Sequence, residues 1–272
     1  MTAFAANSLL CRVALKQTSI DAASFTFIRL ISGAIALWFI VNMRKEARRP
    51  TGSWLSALAL FGYAAAFSFA YLSLSAGTGA LLLFGAVQGT MIIWGLLRGE
   101  RFGVGQCAGL ASALGGLVVL VFPGLSAPPV VGSILMLGAG VAWGIYSLRG
   151  KTAGDPATAT AGNFLRAVPL AALLSIAFLP WARLEGAGIG YAILSGALAS
   201  GVGYAIWYTA LPGLRAASAA SVQLSVPILA AAGGMLFLGE SLTLRFLFAS
   251  VAVLGGIALV VRENRRDIRP VR

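Results

Sequence analysis

The sequence predicts an all-α membrane protein in which ten transmembrane helices form two inverted five-helix repeats around a central cavity. Apolar runs of near-crossing length fill almost all of the 272 residues. Hydrophobic residues make up 59% of the chain and charged residues 10%, and mean hydropathy is +0.90, whereas a soluble domain is about one quarter charged. The third observation is internal repetition. Displacing the chain by 137 sets Ala5, Arg12, Ala22, Phe27, Arg29, Ala34 and Leu37 on Ala142, Arg149, Ala159, Phe164, Arg166, Ala171 and Leu174. A displacement of 140 sets Gly99-Glu100 on Gly239-Glu240 and Gly115-Gly116 on Gly255-Gly256. Five is odd, so the second copy enters the bilayer in the opposite orientation, and a substrate site is expected where the halves meet.

The first span, 1–16, is roughly 22 Å long against a ~30 Å hydrocarbon core. Either the chain's start lies a few residues late or Arg12 and Lys16 snorkel to the headgroups. The second span, 24–43, is closed by Arg44-Lys45-Glu46-Ala47-Arg48-Arg49-Pro50. Spans three and four occupy 53–72 and 76–97, the latter carrying Gly77, Gly79, Gly85, Gly89 and Gly95. The fifth, 104–121, stops at Pro123-Gly124, and Pro128-Pro129 leads into the sixth at 130–148. Gly154-Asp155-Pro156 opens the seventh, 158–179, which Pro180 ends. The eighth, 189–209, precedes Pro212-Gly213; the ninth, 216–238, contains Pro227; the tenth covers 243–261. Each break is a poor helix interior. The domain organisation is therefore 1–125, 126–262 and a basic tail at 263–272.

Short loops make basic residues readable as topology signals. Arg44, Lys45, Arg48, Arg49 and the tail arginines Arg262, Arg265, Arg266, Arg269 and Arg272 belong in the cytoplasm, together with Arg98, Arg101, Arg149, Lys151 and Arg215. Both termini are then cytoplasmic and the uncharged 122–129 loop is outside; Lys16, Arg183 and Arg245 are the minority exceptions. The formal charge of +12 serves this purpose, because no soluble basic fold remains to hold a nucleic acid. No basic leader precedes the first run, so no cleaved signal peptide is expected.

Cys11 and Cys107 lie inside apolar runs as packing thiols, with no metal-ligand spacing. The eight acidic residues, Asp21, Glu46, Glu100, Asp155, Glu185, Glu240, Glu263 and Asp267, all fall at span ends or in loops, and histidine is absent. Proton-coupled exchange of cationic drugs needs a mid-membrane carboxylate, and intramembrane hydrolysis needs a Ser–His, zinc or paired-aspartate centre. No enzymatic activity, bound metal or cofactor is expected.

Ala142-Trp143-Gly144, Leu165-Arg166, Trp207-Tyr208-Thr209-Ala210-Leu211, Pro227, Leu238-Gly239-Glu240-Ser241-Leu242-Thr243 and Leu254-Gly255-Gly256-Ile257 occur in the order of a known repeat. In them the chain resembles the ten-helix EamA-type members of the drug/metabolite transporter superfamily. The first half departs from that pattern, with Ala6-Asn7 for Trp143-Gly144 and Val87 for Pro227. Within the superfamily the chain is most similar to bacterial amino-acid exporters, nearest the YddG-type exporters of aromatic amino acids. The resemblance implies export; the same scaffold also serves drugs and nucleotide sugars.

A carrier of neutral or zwitterionic solutes needs an aromatic wall with a few neutral polar groups. Asn7, Tyr71, Gln88, Trp143, Tyr146, Asn163, Tyr204, Trp207 and Gln223 are the candidate substrate-binding residues, accompanied by Ser8, Phe67, Trp94, Tyr208 and Ser221. Trp143 and Tyr146, like Tyr204 and Trp207, are three apart and share a helix face. Packing or an interfacial belt is the competing role for the aromatics; mid-span amides need partners wherever they point. Arg29 and Arg166 occupy equivalent places inside spans two and seven, with snorkelling, helix packing and recognition of a substrate carboxylate all open to them. Glu100 and Glu240 are read as stabilising the N-termini of the helices that follow them. Gly85, Gly89, Pro227 and Gly233 are the candidate hinges, Pro227 by kinking the ninth span. The expected partners are a small-molecule substrate and the lipid of a bacterial inner membrane, with no nucleic acid and no second chain required. A channel or a non-transporting membrane scaffold is the alternative from another class.

Overall fold

The computed structural model describes residues 1–43, 51–99, 103–124, 127–150, 155–210 and 222–266, without the side chains of Tyr208 and of 263–266. The basic loop 44–49, Glu100, Arg101, Lys151, Arg215, Ser221 and the end of the tail lie outside the described residues. The helices are α1 (Thr2–Gln17), α2 (Ala22–Asn42), α3 (Trp54–Tyr71), α4 (Ala76–Leu97), α5 (Val104–Val121), α6 (Val130–Gly150) and α7 (Pro156–Ala177). After a 3-10 turn (Leu179–Trp181) come α8 (Gly186–Ile193), a π-helical segment (Leu194–Val202), α9 (Gly203–Ala210), α10 (Ser225–Leu238) and α11 (Leu244–Arg266). No strand occurs among the described residues.

Among the described residues, eight helical spans are long and apolar enough to cross a membrane, counting α8 through α9 as one. The other two predicted spans are shorter. α1 has 16 residues and α10 has 14, preceded by helical 222–223 and a turn at Leu224; the start of the predicted 216–238 lies outside the described residues. Sequence punctuation placed most boundaries within a few residues because the N-caps are chemical: Asp21, Ser53, Ser75 and Asp155 each accept a backbone N–H of the first turn.

Packing is interlocked. The most extensive helix pairings all join residues before 122 to residues after 130: α5 on α11, α3 and α4 on α6, α2 on α7 and on the π segment, α4 on α10. Small residues allow it. A Cβ on Gly109 would stand 2.5 Å from the Gly256 carbonyl oxygen, and one on Gly256 would stand 2.4 Å from that of Gly109. In lipid, close approach of this kind is the main source of helix association.

Contacts also tie the two ends of the bundle. At one end, which we call the odd-loop face, the connections after spans one, three, five, seven and nine meet. Glu185 Oε2 accepts the Ser19 amide at 2.6 Å and its hydroxyl at 2.9 Å. Asp21 Oδ2 accepts the Arg183 amide at 2.9 Å while Arg183's carbonyl accepts the Asp21 amide at 3.2 Å. At the even-loop face, Thr51 to Ser53 lie on the first turns of α7. Positive φ at Gly52 (+85°) lets the strand-like segment pass Asn163, whose Oδ1 accepts the Ser53 amide at 2.9 Å.

Partial burial pushes the Asp21 carboxyl up, but hydrogen bonds from Ser24, Arg183 and Ala23 outweigh it and hold the group below its ordinary value. Hydrogen bonds from Ser19 likewise lower Glu185. A depressed carboxyl stabilises the folded loops above its unfolded value and ceases to do so as pH falls through the folded one. Amide exchange at Ser19 and Arg183, corrected for intrinsic rate, should therefore be slow at neutral pH and accelerate below about pH 4. D21N and E185Q should accelerate it at neutral pH.

Candidate functional site

The mid-bundle core is where the polar and aromatic side chains converge. α1 contributes Asn7, α2 Arg29, α3 Tyr63 and Phe67, α6 Trp143 and Tyr146, the π segment Ser195 and α9 Tyr204, and all of these are buried. Tyr63 is the hub. Its hydroxyl accepts from Asn7 Nδ2 at 3.2 Å and from Arg29 Nη2 at 3.0 Å. Asn7 Oδ1 in turn accepts from the Ser195 hydroxyl at 2.6 Å.

Trp143 fills the other side of Tyr63. Ring centroids lie 4.7 Å from Tyr63, 4.9 Å from Tyr204 and 5.3 Å from Tyr146, the last pair stacked. Phe4 closes the group against Trp143, Tyr204 and Trp207. Between these walls remains a void of about 10 Å³, lined by Phe4, Asn7, Ser8, Tyr63, Phe67, Leu83, Phe84, Trp143 and Tyr204, which is room for a single water. At this cluster the aromatic rings pack on one another.

Residues 130–262 match the EamA-like transporter family. Through that half the chain belongs to this family. An uncharacterised protein of Pseudomonas aeruginosa is 60% identical, over 96% of this chain and 91% of its own. An uncharacterised transporter of Archaeoglobus fulgidus is 25% identical over 98% and 96%. The threonine/homoserine exporter RhtA of Escherichia coli is 37% identical over 50% of this chain and 48% of its own length. A solved crystal structure sharing 16% identity aligns over 97% of this chain and 96% of that one, at a TM-score of 0.65.

In this EamA-like transporter the sequence candidates separate into three groups. Asn7, Trp143, Tyr146 and Tyr204 belong to the central cluster, with partly buried Trp207 touching it through Phe4. Tyr71 lies above it, its ring 4.7 Å from Phe67 and its hydroxyl 3.3 Å from the Ala76 carbonyl oxygen. Asn163 lies toward the even-loop face, between the Ser53 amide and the Tyr146 hydroxyl. Gln88 donates to Gln223 at 3.2 Å, joining α4 to the residues just before α10.

The hinge candidates look different in three dimensions. Pro227 stands in the first turn of α10, three residues after a turn at Leu224 that separates it from helical Val222 and Gln223; the start of the predicted ninth span lies outside the described residues. Gly85 and Gly233 face side chains: a Cβ there would meet Leu117 at 3.0 Å and Leu9 at 2.3 Å. Of the three glycines, Gly89 alone has open space around it.

Three further readings are corrected. Arg12 does not snorkel. Its Nε reaches Glu240 Oε1 at 3.0 Å and its Nη1 the Tyr71 carbonyl oxygen at 2.8 Å. Glu240 supports a helix other than the one following it: its Oε2 accepts the Ala76 amide, at the N-terminus of α4, at 2.8 Å. Span eight is no continuous α-helix, since nine residues at its centre are π-helical, a distortion common at functional sites. It sets Ser195 on Asn7 and Gly196 against the Arg29 backbone. Sequence reasoning missed Ser195 and Tyr63; a tyrosine among Ala64, Ala65 and Ala66, far from either span end, was the available sign for the second.

Proposed function

We propose that the protein is a secondary exporter of neutral amino acids, moving them by alternating access through the Asn7–Tyr63–Trp143 cluster. The half-length match to threonine/homoserine exporters carries this reading. Small neutral side chains are favoured over aromatic ones, because the rings already occupy the space an aromatic side chain would need. The family match to residues 130–262 supports the division into two repeats. Placing the chain in a bacterial inner membrane, both termini cytoplasmic, makes the even-loop face cytoplasmic and follows the positive-inside count. On this reading the odd-loop face, tied by Arg12–Glu240 and Ser19–Glu185, is the outer closure.

Liposomes holding purified protein and preloaded with unlabelled L-threonine should accumulate labelled L-threonine by counterflow at equal pH on both sides. No mid-span carboxylate is present to demand a proton. Ion-like flux without counterflow would identify a channel, absence of any flux a scaffold, and preference for a nucleotide sugar or organic cation another branch of the superfamily. Strict dependence on an imposed pH difference would point to Glu100 or Glu240 as a proton site.

A further inference from the structure

We propose that Arg29 is the carboxylate anchor of the transport site, with the Tyr63 hydroxyl as its second donor, so that the ligand class is small carboxylates. This rests on the reading of the central cluster as the transport site. Arg29 lies seven residues into α2, about 10 Å from its start, and is 1% exposed. No carboxylate pairs with it among the described residues, in which the ion pair is Arg12–Glu240. A charge kept so deep in a membrane helix marks a functional position by default.

Its bonding differs from that of Arg12 and Arg166. Arg12 gives its donors to Glu240 and to two backbone carbonyls, and Arg166 to the Thr51 and Gly162 carbonyls. Those are helix-tying arrangements. Arg29 has one hydroxyl, on Nη2, and its Nη1 has no partner. The guanidinium carbon lies 5.2 Å from the Tyr63 ring centroid and 4.9 Å from that of Phe67. Both rings also line the central void. The cation therefore rests on aromatic faces, and its Nη1 edge, part of the planar fork that suits a carboxylate, makes no bond.

Tyr63 completes the pair. Its oxygen already accepts from Arg29 and Asn7, so its own proton is left to donate. A carboxylate entering as the rings part can place one oxygen on Nη1 and the other on the Tyr63 proton. The repeat-equivalent Arg166 is committed to carbonyls at the even-loop face, so the two halves contribute unequally.

The test is thermal stabilisation of the purified protein by propionate, L-threonine and L-threoninamide, each at about 100 mM, where a millimolar ligand should raise Tm by a few degrees. Propionate and threonine should stabilise the wild type, and the amide should not. Both shifts should vanish in R29Q; R29K should lose most of the effect, and Y63F should lose part of it while keeping the ring under the cation. If R29Q does not fold, R29K and Y63F decide. Stabilisation by propionate but not threonine would sink the amino-acid reading and leave the anchor standing. No shift with either carboxylate, an equal shift with the amide, or an unchanged shift in R29K and Y63F would overturn the anchor.

Discussion

Gly196→Leu should prevent the protein from being recovered folded. A Cβ at this position would stand 2.0 Å from the Ser32 hydroxyl and 2.1 Å from the Arg29 carbonyl oxygen. The serine can rotate away, but the carbonyl is α2 backbone. α7 crowds α2 beside the same spot, where a Cβ on Gly33 would meet Phe164 at 2.6 Å and the Gly196 carbonyl oxygen at 3.0 Å. Overpacking of ordinary core sites costs about 1–3 kcal/mol, and a site in which backbone must yield lies at or beyond the top of that range. Gly255→Leu is the matched control, since nothing lies within 4 Å of a Cβ there, and a substitution into open space changes stability by no more than about 0.5 kcal/mol. Monodisperse elution and thermal unfolding in detergent compare the two. A Gly196→Leu protein as stable as Gly255→Leu would mean that the π segment does not pack against α2 as described.

Glu240→Ala should be the most damaging single change at the odd-loop face. The carboxylate receives Arg12 from α1 and the first free amide of α4, and the side chains of Arg12 and Glu240 are only 12% and 9% exposed. Removing one partner of a buried pair leaves the other uncompensated, at about 3–5 kcal/mol. Two carbonyls remain for Arg12, so the lower end of that range is expected. Arg12→Ala should cost a similar amount, and the double variant little more than either, giving a coupling of about 1–3 kcal/mol. Strict additivity of the two losses would show that the pair does not hold α1 to the α10–α11 connection. Cysteines placed in the 72–75 and 239–243 connections of Glu240→Ala should also react faster with impermeant thiol reagents.

What could be read from the chain followed from local chemistry. Asp and Ser are favoured N-cap residues next to an apolar run, so the helix starts beside Asp21, Ser53, Ser75 and Asp155 were legible. Pairings between distant residues were not. Arg12 and Glu240 are 228 positions apart, and neither residue type nor spacing indicates that they meet. Arg29 was visible as an oddity, but whether it turned toward headgroups or the core depended on Tyr63 and Phe67, which belong to another helix. The π segment left no sign, since Leu194 to Val202 has the composition of an ordinary membrane helix.

The interlocking of the halves bears on how the chain is made. Synthesis delivers α1 to α5 to the bilayer first, while the principal partners of α2, α3, α4 and α5 all lie beyond residue 130. During that interval Gly109 has no Gly256 to approach, Asn7 has no Ser195, and Arg12 has no Glu240. Arg29 must enter the lipid at roughly 2.5–3.5 kcal/mol, by the insertion scale for a helix centre, before α3 brings Tyr63 to it. The first half is thus a waiting assembly with uncovered faces, and a ribosome that stops near residue 125 leaves a product for proteolysis, not half a transporter.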